Sequence, residues 1–191
     1  MIEEMEEYAK KYNIPIMVPD GINYMLDYIE KHNIKKILEI GTAIGYSAIR
    51  MAMVRDDIEI TTIERDVERY NEAIKNIKKC NLEDRIKVLL VDALEVEIDD
   101  TFDLIFIDSA KSQYTKFFNK FSPLLNGNGT IITDNLDFHG MRENIDQIQS
   151  RNLRQMMRKL NSYIDFLKEN KEFKTEFINV GDGLGISIKN G

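Results

Sequence analysis

Four carboxylates follow four apolar runs of this chain: Glu64 after Ile58–Ile63, Asp92 after Ile86–Val91, Asp108 after Asp103–Ile107 and Asp134 after Gly129–Thr133. If those runs are parallel strands, the acids stand at the strands' C-terminal ends, where open α/β sheets bind ligands. The stretch Lys36 to Ser47 adds a strand, a turn at Gly41 and Gly45, and a helix starting near Tyr46. Glycine lets a ligand approach the backbone, and a helix N-terminus offers unpaired N–H groups, so the turn suits a nucleotide-like guest. Ala43 stands where a dinucleotide fingerprint has its middle glycine, which separates this turn from that motif.

Each acid has a chemistry and a plainer alternative. Glu64 lies about 20 residues past the turn, where doubly wound folds set an acid on the ribose hydroxyls of a bound nucleoside. Otherwise it is a strand-end charge paired with Arg65 or Arg69. Asp92 and Ala93 either hold an adenine edge or form a turn in Asp-Ala-Leu. Asp108, Asp134 and Asn135 offer only oxygen ligands, a set that selects Mg²⁺, Ca²⁺ or Mn²⁺ over zinc and leaves positions for water and substrate. Two carboxylates pressed together without a cation would repel. Asp134-Asn135 could equally begin a loop, as such residues often do. Lys111, three residues after Asp108, falls at the start of the next helix, where a lysine opposes the dipole. Beside a metal and a second cation it could serve as a general base.

The elements that position these groups follow from periodicity. A short helix over Glu3–Tyr12 is interrupted by Pro15 and Pro19, and Asp20 is the expected cap of a second helix with Ile22, Met25, Leu26 and Ile29 on one stripe. A helix from Asp66 sets Val67, Tyr70, Ile74 and Ile77 on one face. Another carries Tyr114, Phe117, Phe118, Phe121 and Leu125 as core, and a long one carries Leu153, Met156, Met157, Leu160, Ile164 and Leu167. Phe173–Val180 and Leu184–Lys189 flank Gly181-Asp182-Gly183, a link too short for a parallel crossover, so they must form an antiparallel hairpin. The fold class is therefore α/β, a Rossmann-like doubly wound, mostly parallel sheet of about seven strands with helices on both faces.

Composition narrows the setting. The 191 residues, with no linker or repeat, imply one domain over 1–191, with residues 1–33 as a helical cap segment. No apolar run reaches the length of a membrane span and the N-terminus is acidic, so the expectation is a cytoplasmic protein. One cysteine, Cys80, excludes an internal disulfide. A net charge of −7 opposes a wholesale nucleic-acid coat but permits a local basic face. Arg151, Arg154 and Arg158 share a helix face opposite the apolar stripe, and Arg142 precedes them; the alternative is a solvated helix surface.

Glu39-Ile-Gly-Thr-Ala-Ile-Gly-Tyr-Ser47, Ile107-Asp-Ser-Ala-Lys111, Thr133-Asp-Asn135 and Val180-Gly-Asp-Gly-Leu184 resemble, in order and spacing, the metal-dependent S-adenosylmethionine O-methyltransferases of the catechol and caffeoyl-CoA type. The likeness extends to the bacterial branch that methylates 5-hydroxyuridine at the tRNA wobble position. It implies that Gly41 and Ser47 hold the methionine part of the cofactor with Met17 over it, that Glu64 binds ribose, and that Asp92 and Ala93 bind adenine. It also implies Asp108, Asp134 and Asn135 as ligands of Mg²⁺ or another divalent cation, Asp108 being close to the cofactor too, and Lys111 as the catalytic lysine. The expected partner is a tRNA anticodon loop or a small catechol-like substrate, with a homodimer as the expected assembly. Two departures bear on substrate and assembly: the chain starts without the family's common N-terminal helical extension, and Asp137 stands where an apolar residue is usual.

Overall fold

The computed structural model describes residues 1–136 and 144–191; Asp137, His139 and Arg142 lie outside the described residues. Contacts gather the chain into two compact units, residues 1–100 and 101–191.

In the first unit, α1 (Ile2–Lys11) and α2 (Pro19–Lys31) lead into β1 (Lys36–Ile40), α3 (Tyr46–Ala52), β2 (Glu59–Glu64), α4 (Val67–Lys79) and β3 (Ile86–Leu90). The strands are parallel in the order β3-β2-β1, with Glu39 opposite Thr62 and Ile40 opposite Ile63. β1 is buried from Ile37 to Ile40, which is why it reads as an almost unbroken apolar run, whereas β3 at the end of the strand order is half exposed. Asp20 does not cap α2. The helix starts two residues earlier than that cap would set it, at Pro19 with Val18 as its N-cap; the fixed φ and missing N–H of proline suit the first helical position. The stripe buries Ile22, Met25 and Ile29 and leaves Leu26 half-buried.

The expected inner face of α4 is corrected. Ile77 is buried as expected, but Val67 and Ile74 are 57% and 40% exposed, and Ala73 and Asn76 are buried in their place. Asp66 caps α4 by accepting from the Arg69 N–H at 2.9 Å, and this rotation turns small and polar residues toward the glycine turn. Asn76 Nδ2 donates to the Ile44 carbonyl at 3.0 Å. A Cβ on Gly45 would meet that of Ala73 at 3.4 Å, and Gly45 sits at φ 84°, a conformation costly to any L side chain. Gly45→Ala is expected to destabilise the protein by about 1–2 kcal/mol, read as a lower urea midpoint.

In the second unit, β4 (Phe102–Ile107), α5 (Tyr114–Phe121), β5 (Leu125–Thr133), α6 (Arg151–Glu169), β6 (Phe173–Ile178) and β7 (Leu184–Lys189) follow in turn. The strand order is β4-β5-β7-β6; β4 and β5 are parallel, and β7 runs antiparallel to both of its neighbours. The helix expected to reach Leu125 ends at Phe121. Pro123 cannot continue it, a 3-10 turn covers Ser122–Leu124, and β5 starts at Leu125, with a register shift against β4 between Phe102 and Leu104. Tyr163 joins Met157, Leu160, Ile164 and Leu167 on the buried face of α6, while Leu153 and Met156 are only half-buried. Its ring stands edge-on to Tyr114 at 5.4 Å, and its hydroxyl lies 2.7 Å from Thr133 Oγ1. Seven strands with a parallel majority, an antiparallel C-terminal pair and surrounding helices make this the expected Rossmann-like class. Among the described residues no helix is long and apolar enough to cross a membrane.

Candidate active site

In the first unit the glycine turn and Glu64 form one hydrogen-bonded structure. Gly41, at φ 104°, and Thr42 both donate their N–H to the Ile63 carbonyl at 3.1 Å, so the turn leaves β1 bonded to the last residues of β2. Ala43 holds a left-handed conformation, φ 47°, and its N–H donates to Glu64 Oε2 at 2.9 Å. Glu64 Oε1 accepts from the N–H groups of Arg65 and Asp66, at 3.0 and 2.9 Å. Glu64 is therefore 7% exposed and held by backbone, which sets aside its pairing with the side chains of Arg65 or Arg69. A carboxylate offers about four lone pairs. Three are used here, and Oε2 keeps one for a ligand.

Below the turn, Glu39 is fully buried in β1. It accepts from the Ser47 hydroxyl and from Thr62 Oγ1 at 2.5 Å, and Thr62 Oγ1 lies 2.6 Å from Thr42 Oγ1. Ser47 thus touches the protein's own acid, a relation invisible in local sequence. Asp92 makes the turn that was its alternative reading: its Oδ1 accepts from the Leu94 N–H at 2.8 Å, while Oδ2 lies 3.7 Å from Arg65 Nη1. Ala93 and Met17 are buried at 8% and 4% exposure, Met17 in the segment between α1 and α2. A groove of about 600 Å³ beside β3, lined by Val88, Leu90, Val96 and Ile98 among others, contains none of the candidate residues.

In the second unit Asp108, Asp134 and Asn135 come together as expected. The Asp134 N–H donates to the Ile107 carbonyl at 3.1 Å, and Tyr114 Oη donates to the Asp134 carbonyl at 3.1 Å. Asn135, at φ 62°, donates its N–H to Asp134 Oδ1 at 2.8 Å and its Nδ2 to Asp108 Oδ1 at 3.1 Å. Burial, and then the Asp108 charge, push the Asp134 carboxyl up to about 7. Burial likewise pushes Asp108 up to about 6, against the pull of Lys111 and Asn135. Lys111 opens the 3-10 turn Lys111–Gln113, and its charge reaches both acids.

Sequence reasoning passed over Asp182. Its charge raises both Asp108 and Asp134, from a hairpin tip anchored by the Leu136 N–H donating to the Gly183 carbonyl at 3.0 Å. Its signal was present in Gly181-Asp182-Gly183. Gln113 Oε1 is buried with no donor among the described residues.

Among the described residues no group of three or more His, Cys, Asp or Glu side chains is gathered for a metal. Two carboxylates and one amide are nonetheless a hard-oxygen donor set that a divalent cation fits, since its charge would offset the burial that raises both acids and the Asp108 repulsion that adds to it at Asp134. Of the arginines on α6, Arg151 and Arg158 are exposed, with Arg158 Nη2 lying 3.7 Å from Asp146. Arg154 is half-buried and donates to the Ile148 carbonyl at 2.7 Å, so its guanidinium braces the start of its own helix.

The sequence profile of the family described as O-methyltransferase matches residues 1–190. A solved structure from Staphylococcus aureus, provisionally described as a caffeoyl-CoA O-methyltransferase, is 40% identical, with 99% of this chain and 92% of that one covered and a TM-score of 0.94. The caffeoyl-CoA O-methyltransferase of Populus kitakamiensis is 25% identical over 95% of this chain and 83% of its own length. An O-methyltransferase from Bacillus cereus, solved with S-adenosylhomocysteine, shares the fold at 24% identity, with 99% and 90% coverage and a TM-score of 0.84.

Proposed function

Because this chain belongs to the O-methyltransferase family and is thereby an enzyme that moves a methyl group from S-adenosylmethionine to oxygen, we propose that its acceptor is 5-hydroxyuridine at the tRNA wobble position, methylated with the help of a divalent cation. The observation that carries this reading is the Asp108–Asn135–Asp134 cluster, with Asp134 buried and its two partners half-buried, an oxygen-only donor set in which the Asp108 charge acts against ionisation of Asp134. A cation held by Asp108, Asp134 and Asn135 would supply Lewis acidity, favouring loss of the acceptor's hydroxyl proton. The cofactor supplies an electrophilic methyl on its sulfonium sulfur.

The chain's own residues orient these groups. Glu64 receives a ribose hydroxyl on the lone pair left at Oε2, Asp92 and Ala93 flank the adenine, and Gly41 and Ser47 hold the methionine end beneath Met17. Asp108, Asp134 and Asn135 would hold the cation, and Lys111, once in its neutral amine form, would take the acceptor's proton. Positioning of this kind carries much of the rate when a bimolecular step is made unimolecular. A wobble base is unpaired in its loop, so little unstacking is needed to present it, and the exposed Arg151 and Arg158 offer contacts for phosphate.

A second reading, a small phenol with two adjacent hydroxyls, is favoured by the engagement of Arg154 with Ile148 and by relatives named for phenolic acceptors: caffeoyl-CoA in Populus kitakamiensis and flavonoids in Vitis vinifera. The test is mass spectrometry of nucleosides from hydroxyuridine-containing tRNA incubated with enzyme, S-adenosylmethionine and Mg²⁺, beside a parallel incubation with catechol. Methoxyuridine is expected with Mg²⁺ and none in excess chelator. Turnover of catechol alone would move the conclusion to the second reading, and full activity in chelator would remove the cation. Lys111→Ala is expected to lower kcat about a hundredfold while cofactor binding is unchanged.

A further inference from the structure

Tyr46 follows the glycine turn, and the reaction as read above leaves its phenol unused. The side chain is 3% exposed. Its hydroxyl donates to Glu6 Oε1 at 2.7 Å and accepts from Arg50 Nη1 at 2.9 Å. Arg50 lies over the Tyr46 ring, 5.6 Å from its centroid, and its Nη2 donates to Asn23 Oδ1 at 3.3 Å. One buried phenol therefore links α1 through Glu6, α2 through Asn23 and the first turn of α3. Burial, and then the Glu6 hydrogen bond, push its pKa up, which keeps the proton on the donor side of the Glu6 contact.

The link matters because α1 is thinly anchored. It buries only Met5 and Ala9, and polar contacts must supply the rest of its placement. The same segment continues into the residues before α2, where Met17 is buried. On the other side, Tyr46 sits between Gly45, at φ 84°, and Ser47, whose hydroxyl reaches Glu39. The phenol thus joins the segment bearing Met17 to the turn bearing Ser47, the two sides of the methionine subsite.

We propose that Tyr46, held by Glu6 and Arg50, is a positioning residue that sets the α1–α2 segment against the glycine turn and thereby sets affinity for the cofactor without touching it. This rests on the reading of Met17 and Ser47 as cofactor contacts. A hydroxyl holding two charged partners makes charge-assisted hydrogen bonds, stronger than neutral ones. Their loss frees α1 before it melts any core.

The test is calorimetric binding of S-adenosylhomocysteine together with KM, kcat and Tm for Tyr46→Phe, Glu6→Ala and Glu6→Gln. The expected result is about a tenfold rise in Kd and in KM for the cofactor in Tyr46→Phe and Glu6→Ala, with kcat changed less than about twofold. The double variant is expected to be no worse than Tyr46→Phe, which already removes the Glu6 contact along with that from Arg50. Glu6→Gln, whose amide oxygen still accepts from the phenol, is expected to bind as the wild type does. If Tyr46→Phe does not fold, Glu6→Ala, on a half-exposed helix face, carries the test. Variants with lowered Tm but unchanged Kd and KM would overturn the proposal, leaving Tyr46 a structural residue. A wild-type protein that fails to bind S-adenosylhomocysteine would overturn the cofactor reading beneath it.

Discussion

Replacing Asp134 by Asn is expected to cost on the order of a thousandfold in methyl transfer while making the metal-free protein harder to unfold at neutral pH. Both halves follow from one geometry. Asp134 is 2% exposed and shares Asn135 with Asp108, so two like charges sit where water screens them poorly. Their carboxyls are raised to about 7 and about 6 from an ordinary value of 3.8. Between pH 4 and 7 the folded protein therefore holds protons that the unfolded chain releases. Stability contributed by the pair is present at low pH and is lost as pH rises through the folded values.

The Asn variant removes one of the repelling charges and keeps an oxygen to accept the Asn135 N–H. Thermal unfolding in chelator should show a gain on the order of 2 kcal/mol at pH 8 and almost none at pH 4. Mg²⁺ should raise the wild-type Tm and leave that of the variant nearly unmoved, since binding to the folded state alone stabilises it. A variant that methylates at the wild-type rate, or a wild-type Tm indifferent to Mg²⁺ at pH 8, would remove the cation from this site.

Glu64→Gln should be nearly as damaging, although it changes one atom. The carboxylate accepts three backbone N–H groups, one on Oε2 and two on Oε1. An amide has a single acceptor oxygen, so whichever way it lies its NH₂ faces an N–H donor. At least one buried donor loses its partner, at a cost of about 1–3 kcal/mol. The flipped amide also presents a donor, not an acceptor, either to the ribose or to Ala43. Affinity for S-adenosylhomocysteine is expected to fall at least about a hundredfold, the sum of a lost ligand contact and a loosened turn. Isothermal titration checks the first, and the urea midpoint checks the second. Unchanged affinity in a folded Glu64→Gln protein would show that the nucleoside lies elsewhere.

What is legible in the sequence is whatever a short stretch of chain decides for itself. The strand, the turn at Gly41 and Gly45, the acids at strand ends and the closing hairpin all depend on local residue type. Ala43 takes the left-handed conformation that its place in the turn demands, with Glu64 holding its N–H. Three things were illegible because they depend on rotation or on partners far along the chain. The inner face of α4 is set by the close approach of Gly45 to Ala73, which favours a small side chain over the apolar Val67 and Ile74. Glu39 looks like a misplaced charge in an apolar strand until Thr62, from the paired strand, and Ser47 supply its donors. Asp182 reads as turn chemistry, and only the insertion of β7 beside β5 brings its charge to bear on Asp108 and Asp134. For Arg154, too, helical spacing alone could not reveal the carbonyl it braces.

The position of β7 has a consequence for biosynthesis. It is made after both of the strands it separates, so β6 emerges from the ribosome with no neighbour to pair with, and β5 keeps one edge open until residues 184–189 follow. That edge belongs to Thr130–Thr133, a wholly β-branched stretch with Ile131 and Ile132 at its centre and Asp134 next to its end. An unpaired apolar edge is a template for pairing with another chain. During synthesis, then, the second unit passes through an interval in which its sheet invites intermolecular association. A shortage of tRNA for the codons of α6 or β6 would lengthen that interval, so translation speed over residues 151–189 bears on the yield of native enzyme.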